Sequence, residues 1–379
     1  MSKKAAAHSG HRGLTVALAL SSALQASCSV DVEAARSEHD HDALGQTISA
    51  LSWTETVHRF RLMNATQNGN DPGKLYWLRP SSGAIWQLIS SQGFESQDSW
   101  YAVPTAYSWN RFGIADIFYV GTRNRMINVS TESHGQTWTS QDWGAPFGHT
   151  LLGVPAVCEG PGSAYAVEVY SLAQSSAGYS IWRRRKTSSG MGSWTYLTTA
   201  NTIVSLTGVR NGLGCVSSTG RTDLFGRRMA PGHSGLAHWW TTDDWNTSGQ
   251  ETVPNYGSGP LYPVHTNDSI FVFGMDYSSN GSIGIDKFST YWGYLGHENA
   301  GSPCSWLGGF AGATLGFNSA SSAPIVTGMN CSPHAPHYQR SYYPITASSS
   351  AWSQVPSANT PTGLWSSGSG SMIFWDPLL

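Results

Sequence analysis

The chain has 379 residues, with 21 basic against 23 acidic side chains, a net charge of −2 and only 12% charged residues. That balance excludes a basic field for nucleic acid. With five lysines against 42 Gly, 17 Trp, 16 Tyr and 12 Phe, the composition is poor material for helices and suits short strands and tight turns.

Residues 1–34 read as a targeting segment. Lys3, Lys4 and Arg12 precede an apolar stretch over 14–26, long enough for a signal-peptide core and too short to span a bilayer. Val32-Glu33-Ala34 fits a signal-peptidase site. Leu24-Gln25-Ala26-Ser27-Cys28 resembles a bacterial lipoprotein box, with Cys28 as the lipid-bearing residue and Gln25 as a poor fit. Both exits predict a secreted or lipid-anchored protein whose only membrane contact is an anchor at Cys28. Residues 35–44 form a polar linker, and 45–379 a single domain.

Paired β-branched and aromatic runs separated by Gly, Ser, Asn or Pro turns then recur. They begin at Lys74, Asp116, Ala164, Thr222, Ser269 and Ala323, and a last single run begins at Ser371. Each pair is a hairpin signal. A Trp follows each pair 20 to 29 residues after its first aromatic or apolar anchor: Trp100, Trp138, Trp194, Trp245, Trp292 and Trp352. The run at Ser371 ends before its Trp, and the missing Trp stands at the other end of the chain, as Trp53. A unit of this size is a four-stranded propeller blade. Six complete units and one split unit predict an all-β propeller of seven four-stranded blades, with six as the alternative. The last blade is closed by both termini, because ring closure covers every sheet face.

Cys28 belongs to the leader, which leaves Cys158, Cys215, Cys304 and Cys331. No CxxC spacing predicts zinc, and an even number suits disulfides in an exported chain. Pairing of chain neighbours, Cys158 with Cys215 and Cys304 with Cys331, is preferred among the three connectivities. The run Arg183-Arg184-Arg185-Lys186 reads as a solvated strand end.

Asp223-Leu224-Phe225-Gly226-Arg227, a Gly-containing turn and then Leu236-Ala237-His238-Trp239 resemble the blade signature of seven-bladed β-propeller lectins of the bacterial PLL type. Fungal fucose-binding propeller lectins are a more distant likeness. Asp116-Ile117-Phe118-Tyr119-Val120 is the second copy, and Lys74 to Trp86 the third. The resemblance implies a non-catalytic lectin with shallow sites between blades for surface glycans of fucose or galactose type. Sugar rings offer a C–H face to aromatic side chains and hydroxyls to fixed polar groups. The candidate ligand-binding residues are therefore Trp77, Arg79, Trp86, Tyr119, Trp182, Arg227, His238, Trp239 and Trp240. The blade-end Trp residues recur in almost every unit and read as structural.

Two other readings stay open. Thr131-Glu132-Ser133-His134-Gly135-Gln136-Thr137-Trp138 resembles the Asp-box turn of sialidases, with Ser133 in place of its Asp. A glycosidase needs two carboxylates at a defined separation, and the acidic residues here are scattered. A protein-binding scaffold is the other alternative. His39-Asp40-His41-Asp42 and the pair His334 and His337 fall short of a defined metal site, and no cofactor or metal is expected.

Overall fold

The computed structural model describes residues 57–64, 74–79, 85–92, 104–109, 114–133, 135–160, 166–199, 213–218, 220–230, 233–254, 257–266, 269–276, 282–289, 291, 293–299, 310–315, 324–329, 337–343, 348–349, 353–354, 365–366 and 371–374. Side chains are described only between 58 and 299. The chain divides into compact units of 1–51 and 52–379. The leader, the linker and its His39–Asp42 run lie outside the described residues.

The second unit is an all-β propeller. Its sheets are antiparallel, and six of them are present among the described residues. Blade 2 is the plainest: Thr105–Trp109, Ile114–Val120, Met126–Thr131 and Thr139–Gly144 pair in chain order from the axis outwards. Blades 4 and 5 repeat that order over Leu213–Pro254 and Gly257–Asn299. In blade 3, whose strands lie between Thr150 and Thr199, and blade 6, whose strands lie between Phe310 and Gln354, the outer position is shared by two short strands.

Blade 1 is built from both ends of the domain. Ser371–Phe374 pairs with Val57–Asn64, which pairs with Lys74–Arg79 and so with Ile85–Ser90. The inner strands then follow one another round the axis: Ser371–Phe374, Thr105–Trp109, Thr150–Glu159, Leu213–Ser218, Gly257–Thr266 and Phe310–Leu315. Each lies beside the next, and the last beside the first. Among the described residues the ring therefore closes at six sheets, the count expected as the alternative to seven. The run at Ser371 does not open a further blade. It completes the one that holds Lys74–Arg79, so the expected first hairpin, Lys74 to Trp86, is formed by the third and fourth strands of its blade.

The middle strands carry apolar side chains on both faces because both faces are covered. Ile117 and Tyr119 join Phe60, Leu62, Leu75 and Trp77 of blade 1, while Phe118, between them in sequence, joins Leu151, Val157 and Val169 of blade 3. Period-2 alternation thus sends neighbouring residues into opposite seams. The outer strand Thr139–Gly144 has only Trp143 buried. One aromatic recurs on the second strand of blades 1 to 5, as Phe60, Phe118, Tyr170, Phe225 and Phe273, all fully buried. Burying each such side chain contributes about 1.5–3 kcal/mol relative to exposure.

Candidate functional site

The seams also carry polar groups, and these repeat. Two residues before the second-strand aromatic stand His58, Asp116, Glu168, Asp223 and Phe271. Directly opposite the aromatic, on the third strand, stand Trp77, Asn128, Arg183, His238 and Ile285. In four blades the two positions are hydrogen-bonded. Trp77 Nε1 donates to His58 Nδ1 at 2.9 Å, and Asn128 Nδ2 to Asp116 Oδ1 at 3.0 Å. Arg183 Nη1 donates to Glu168 Oε1 at 3.2 Å, and His238 Nε2 lies 2.8 Å from Asp223 Oδ1. Blade 5 fills both positions with apolar side chains. Each buried acceptor needs a donor, and strand register brings one to the same place in every blade.

The Asp223–His238 pair sits within a longer chain of contacts. Arg221 Nε donates to Asp223, and His238 Nδ1 lies 2.7 Å from Glu251 Oε1. His238 is fully buried and stacked on Phe225 at 4.5 Å. Asp223 and His238 are thus bound to each other inside the blade.

Blade 3 is joined to both neighbours by one strand, Gly178–Thr187. Arg183 and Arg185 face blade 4, where both meet Asp244, and both also bind the buried Glu168. Tyr170 donates its hydroxyl to Glu168 and accepts Trp245 Nε1 at 3.0 Å. Burial, reinforced by the Glu168 charge, holds the Tyr170 hydroxyl well above the usual phenol range. Arg184 and Lys186 face blade 2. Arg184 lies near the Trp143 and Trp194 rings and donates to the Trp143 carbonyl, and Lys186 Nζ binds Asp116 at 2.9 Å. The basic run is therefore not a solvated strand end: all four cations are paired across the two seams.

The Asp-box-like turn has a second copy that the sequence conceals. In Thr131–Thr137, Thr131 Oγ1 accepts from the Ser133 and Gly135 amides, and Ser133 Oγ from the Thr137 amide. In Thr241–Thr247, Thr241 Oγ1 accepts from the Asp243 and Trp245 amides, and Asp243 from the Thr247 amide. Gly135 takes φ +77° and Trp245, in the matching place, +71°. A left-handed backbone costs a non-glycine residue roughly 1–2 kcal/mol. Here the indole it carries is packed into the seam with blade 3. At Gly135 the space is already taken: a Cβ would stand 2.5 Å from Trp77 Cη2. Gly135→Ala is expected to lower unfolding free energy by about 1–3 kcal/mol, from strain and overpacking together. Chemical denaturation checks this, and an unchanged midpoint would contradict the packing of Trp77 on this turn.

The nine sequence-derived candidates separate by burial. Trp77, Tyr119, His238 and Trp239 lie in the seams, and Trp86 packs on Met63 and Leu78. Tyr119 donates to the Gln92 carbonyl at 2.7 Å, tying blade 2 to blade 1, and burial pushes its hydroxyl up to about 12. These five face neighbouring side chains. Trp182 and Trp240 are partly open. Trp240 lies across Gly249 with the Arg221 guanidinium 5.4 Å from its ring. Trp182 meets His149 at 4.9 Å and Tyr196 at 5.7 Å, both edge-on. Arg79 and Arg227 lie on Lys74–Arg79 and Arg221–Ala230, with side chains outside those described. Trp138 and Trp245 pack into the seam with the preceding blade, as structural positions do. No group of three or more metal-binding side chains occurs among the described residues.

No family model matches the chain, and no curated protein matches it in sequence. Among solved structures, it superposes on Aleuria aurantia lectin, a fungal lectin described by its six-bladed β-propeller fold and novel fucose recognition mode. The identity is 15%, with 82% of this chain and 100% of that chain covered and a TM-score of 0.50. AofleA from Arthrobotrys oligospora superposes at 9% identity over 86% of this chain and 92% of its own, with a TM-score of 0.52. The chain is folded as these proteins are. At such identities the likeness is one of fold.

His149 and Tyr196, which flank Trp182, were not among the sequence candidates. Their signal was weak, because each lies outside the hairpin template: His149 in the link between blades 2 and 3, and Tyr196 on an outer strand. Tyr196 stands directly opposite Trp182 in the sheet, after a bulge between Ile181 and Trp182.

Proposed function

We propose that the chain is a non-catalytic carbohydrate-binding protein that recognises surface glycans at shallow sites along the blade seams. The observation that carries this reading is the closed ring of six blades shared with a lectin also solved in complex with α-methyl-L-fucoside, at 15% identity, 82% coverage of this chain and a TM-score of 0.50. Fucose-type glycans are accordingly the first ligands to try, with galactose-type glycans next. Sites repeated around a ring add avidity on a surface where ligands are dense.

The reading includes export. Residues 1–34 serve as the leader, and the mature protein is secreted or anchored through Cys28. Cys158 enters a disulfide, a bond favoured in oxidising compartments. Its proposed partner is Cys215, because their inner strands lie side by side.

A glycan array probed with the full chain tests the function. Dose-dependent binding to a related set of glycans, competed by the free monosaccharide, is the expected result. A blank array from a sample that unfolds cooperatively would overturn the lectin reading.

A further inference from the structure

The seam between blades 2 and 3 opens onto an aromatic group with an unusual support. Pro146–His149 is a tight turn: the His149 amide donates to the Pro146 carbonyl at 3.0 Å, and Gly148 takes φ +72°. A positive φ at the third residue is the type II arrangement, which glycine adopts without strain. The turn holds Phe147 at its second position, fully exposed at 102%. A completely exposed Phe on a hydrogen-bonded turn gains nothing from folding.

His149 closes the turn, and its orientation follows from its contacts. Nδ1 lies 2.8 Å from the Phe147 carbonyl. A carbonyl only accepts, so Nδ1 carries the proton and donates, which leaves Nε2 of the neutral ring as an acceptor. The ring meets Trp182 edge-on, and Trp182 in turn meets Tyr196. Trp182 is itself fixed by donation from Nε1 to Ser180 Oγ at 2.8 Å. Tyr196 is 48% exposed. The cluster thus offers aromatic surface, one oriented acceptor and an exposed phenol. The arginines of the same blade are engaged elsewhere, Arg183 and Arg185 by Glu168 and Asp244, and Arg184 by the Trp143 carbonyl.

We infer that His149, Trp182 and Tyr196, with Phe147 on the adjoining turn, form a binding site for a neutral pyranose. One sugar hydroxyl donates to His149 Nε2, and the apolar C–H face of the ring lies on the aromatic group. Because the described arginines of this blade are engaged elsewhere, the site favours a neutral sugar over a uronic or sialic acid. The inference rests on the lectin reading and names one working site within it.

The test is titration calorimetry of the full chain with methyl α-L-fucoside, methyl β-D-galactoside and glucuronic acid. It is run on the wild type, on Phe147→Ala, His149→Ala and Tyr196→Ala, and on the triple variant that combines them. Their side chains are exposed or partly so, and thermal unfolding of each variant checks that the fold is intact. The expected result is neutral-sugar binding by the wild type, with about tenfold weaker affinity at one site for His149→Ala or Tyr196→Ala. In the triple variant, one fewer sugar binds per chain. Wild-type stoichiometry and affinity in the triple variant would overturn this site and leave the lectin reading standing. Stronger binding of glucuronic acid than of both neutral glycosides, lost in the triple variant, would overturn the neutral-sugar assignment. Absence of any sugar binding by the wild type would overturn the site and the lectin reading together.

Discussion

Glu168→Ala is expected to cost about 3 kcal/mol of unfolding free energy, read as a lower denaturant midpoint with an unchanged slope. Glu168 is wholly buried and meets Arg183, Arg185 and the Tyr170 hydroxyl. Removing it strands the inner ends of two guanidinium groups whose side chains are only partly exposed, at 13% and 29%. Asp244 still meets both arginines from outside, which keeps the loss below that of a fully orphaned pair. Asp244→Ala, at a carboxylate 40% exposed, is expected to cost no more than about 1 kcal/mol, because solvent screens that contact. If the two variants proved equally stable, the buried end of the network, which lies within blade 3, would contribute no more than its exposed contact with Asp244 of blade 4. Blade 5 sharpens the expectation, since Phe271 and Ile285 show that the position tolerates a wholly apolar pair. The penalty arises from breaking a pair, not from lacking one.

Deleting residues 371–379 is expected to abolish the cooperative unfolding transition and to drive association. Ser371–Phe374 pairs with Val57–Asn64 over four residues and lies between the inner strands of blades 6 and 2. Without it, Val57–Phe60 presents an unpaired edge next to the ring axis, although Met63 and Asn64 keep Trp365–Ser366, and edges of that kind recruit other chains. Deleting only 375–379 leaves the strand in place and serves as the control. Thermal unfolding and light scattering separate the outcomes. A monomeric, cooperatively folding 1–370 chain would show that closure does not depend on this strand.

The repeated strands and the returning Trp residues were legible in the sequence because both follow from packing blade on blade. The number of blades was less so. A strand at the end of a chain reads the same whether it opens a new sheet or completes the first, and only its pairing with Val57–Asn64 decides. The side-chain roles were harder still. Asp223 and His238 are 15 residues apart, and their contact depends on the register of a hairpin whose turn does not reveal it. The second turn of the Asp-box type was hidden by Trp245, since a bulky residue where the pattern has glycine breaks the match. The spacing of Thr241, Asp243 and Thr247 carried the remaining signal. The basic run over 183–186 was misread as solvated, although strand alternation alone would have sent its members to both seams.

The paired charges have a consequence for how the ring assembles. Among the described side chains, similar sheets with apolar faces have little to tell one neighbour from another, so a blade docked out of order would bury much the same oil. Lys186 with Asp116, and Arg183 and Arg185 with Asp244, differ from one boundary to the next. A blade placed at the wrong boundary would leave the buried Asp116 without Lys186 or set a cation against a cation, and so would be disfavoured. The charges therefore act as addresses. At the two boundaries that carry them, they favour the native neighbour and penalise exchange of blades between two copies of the protein.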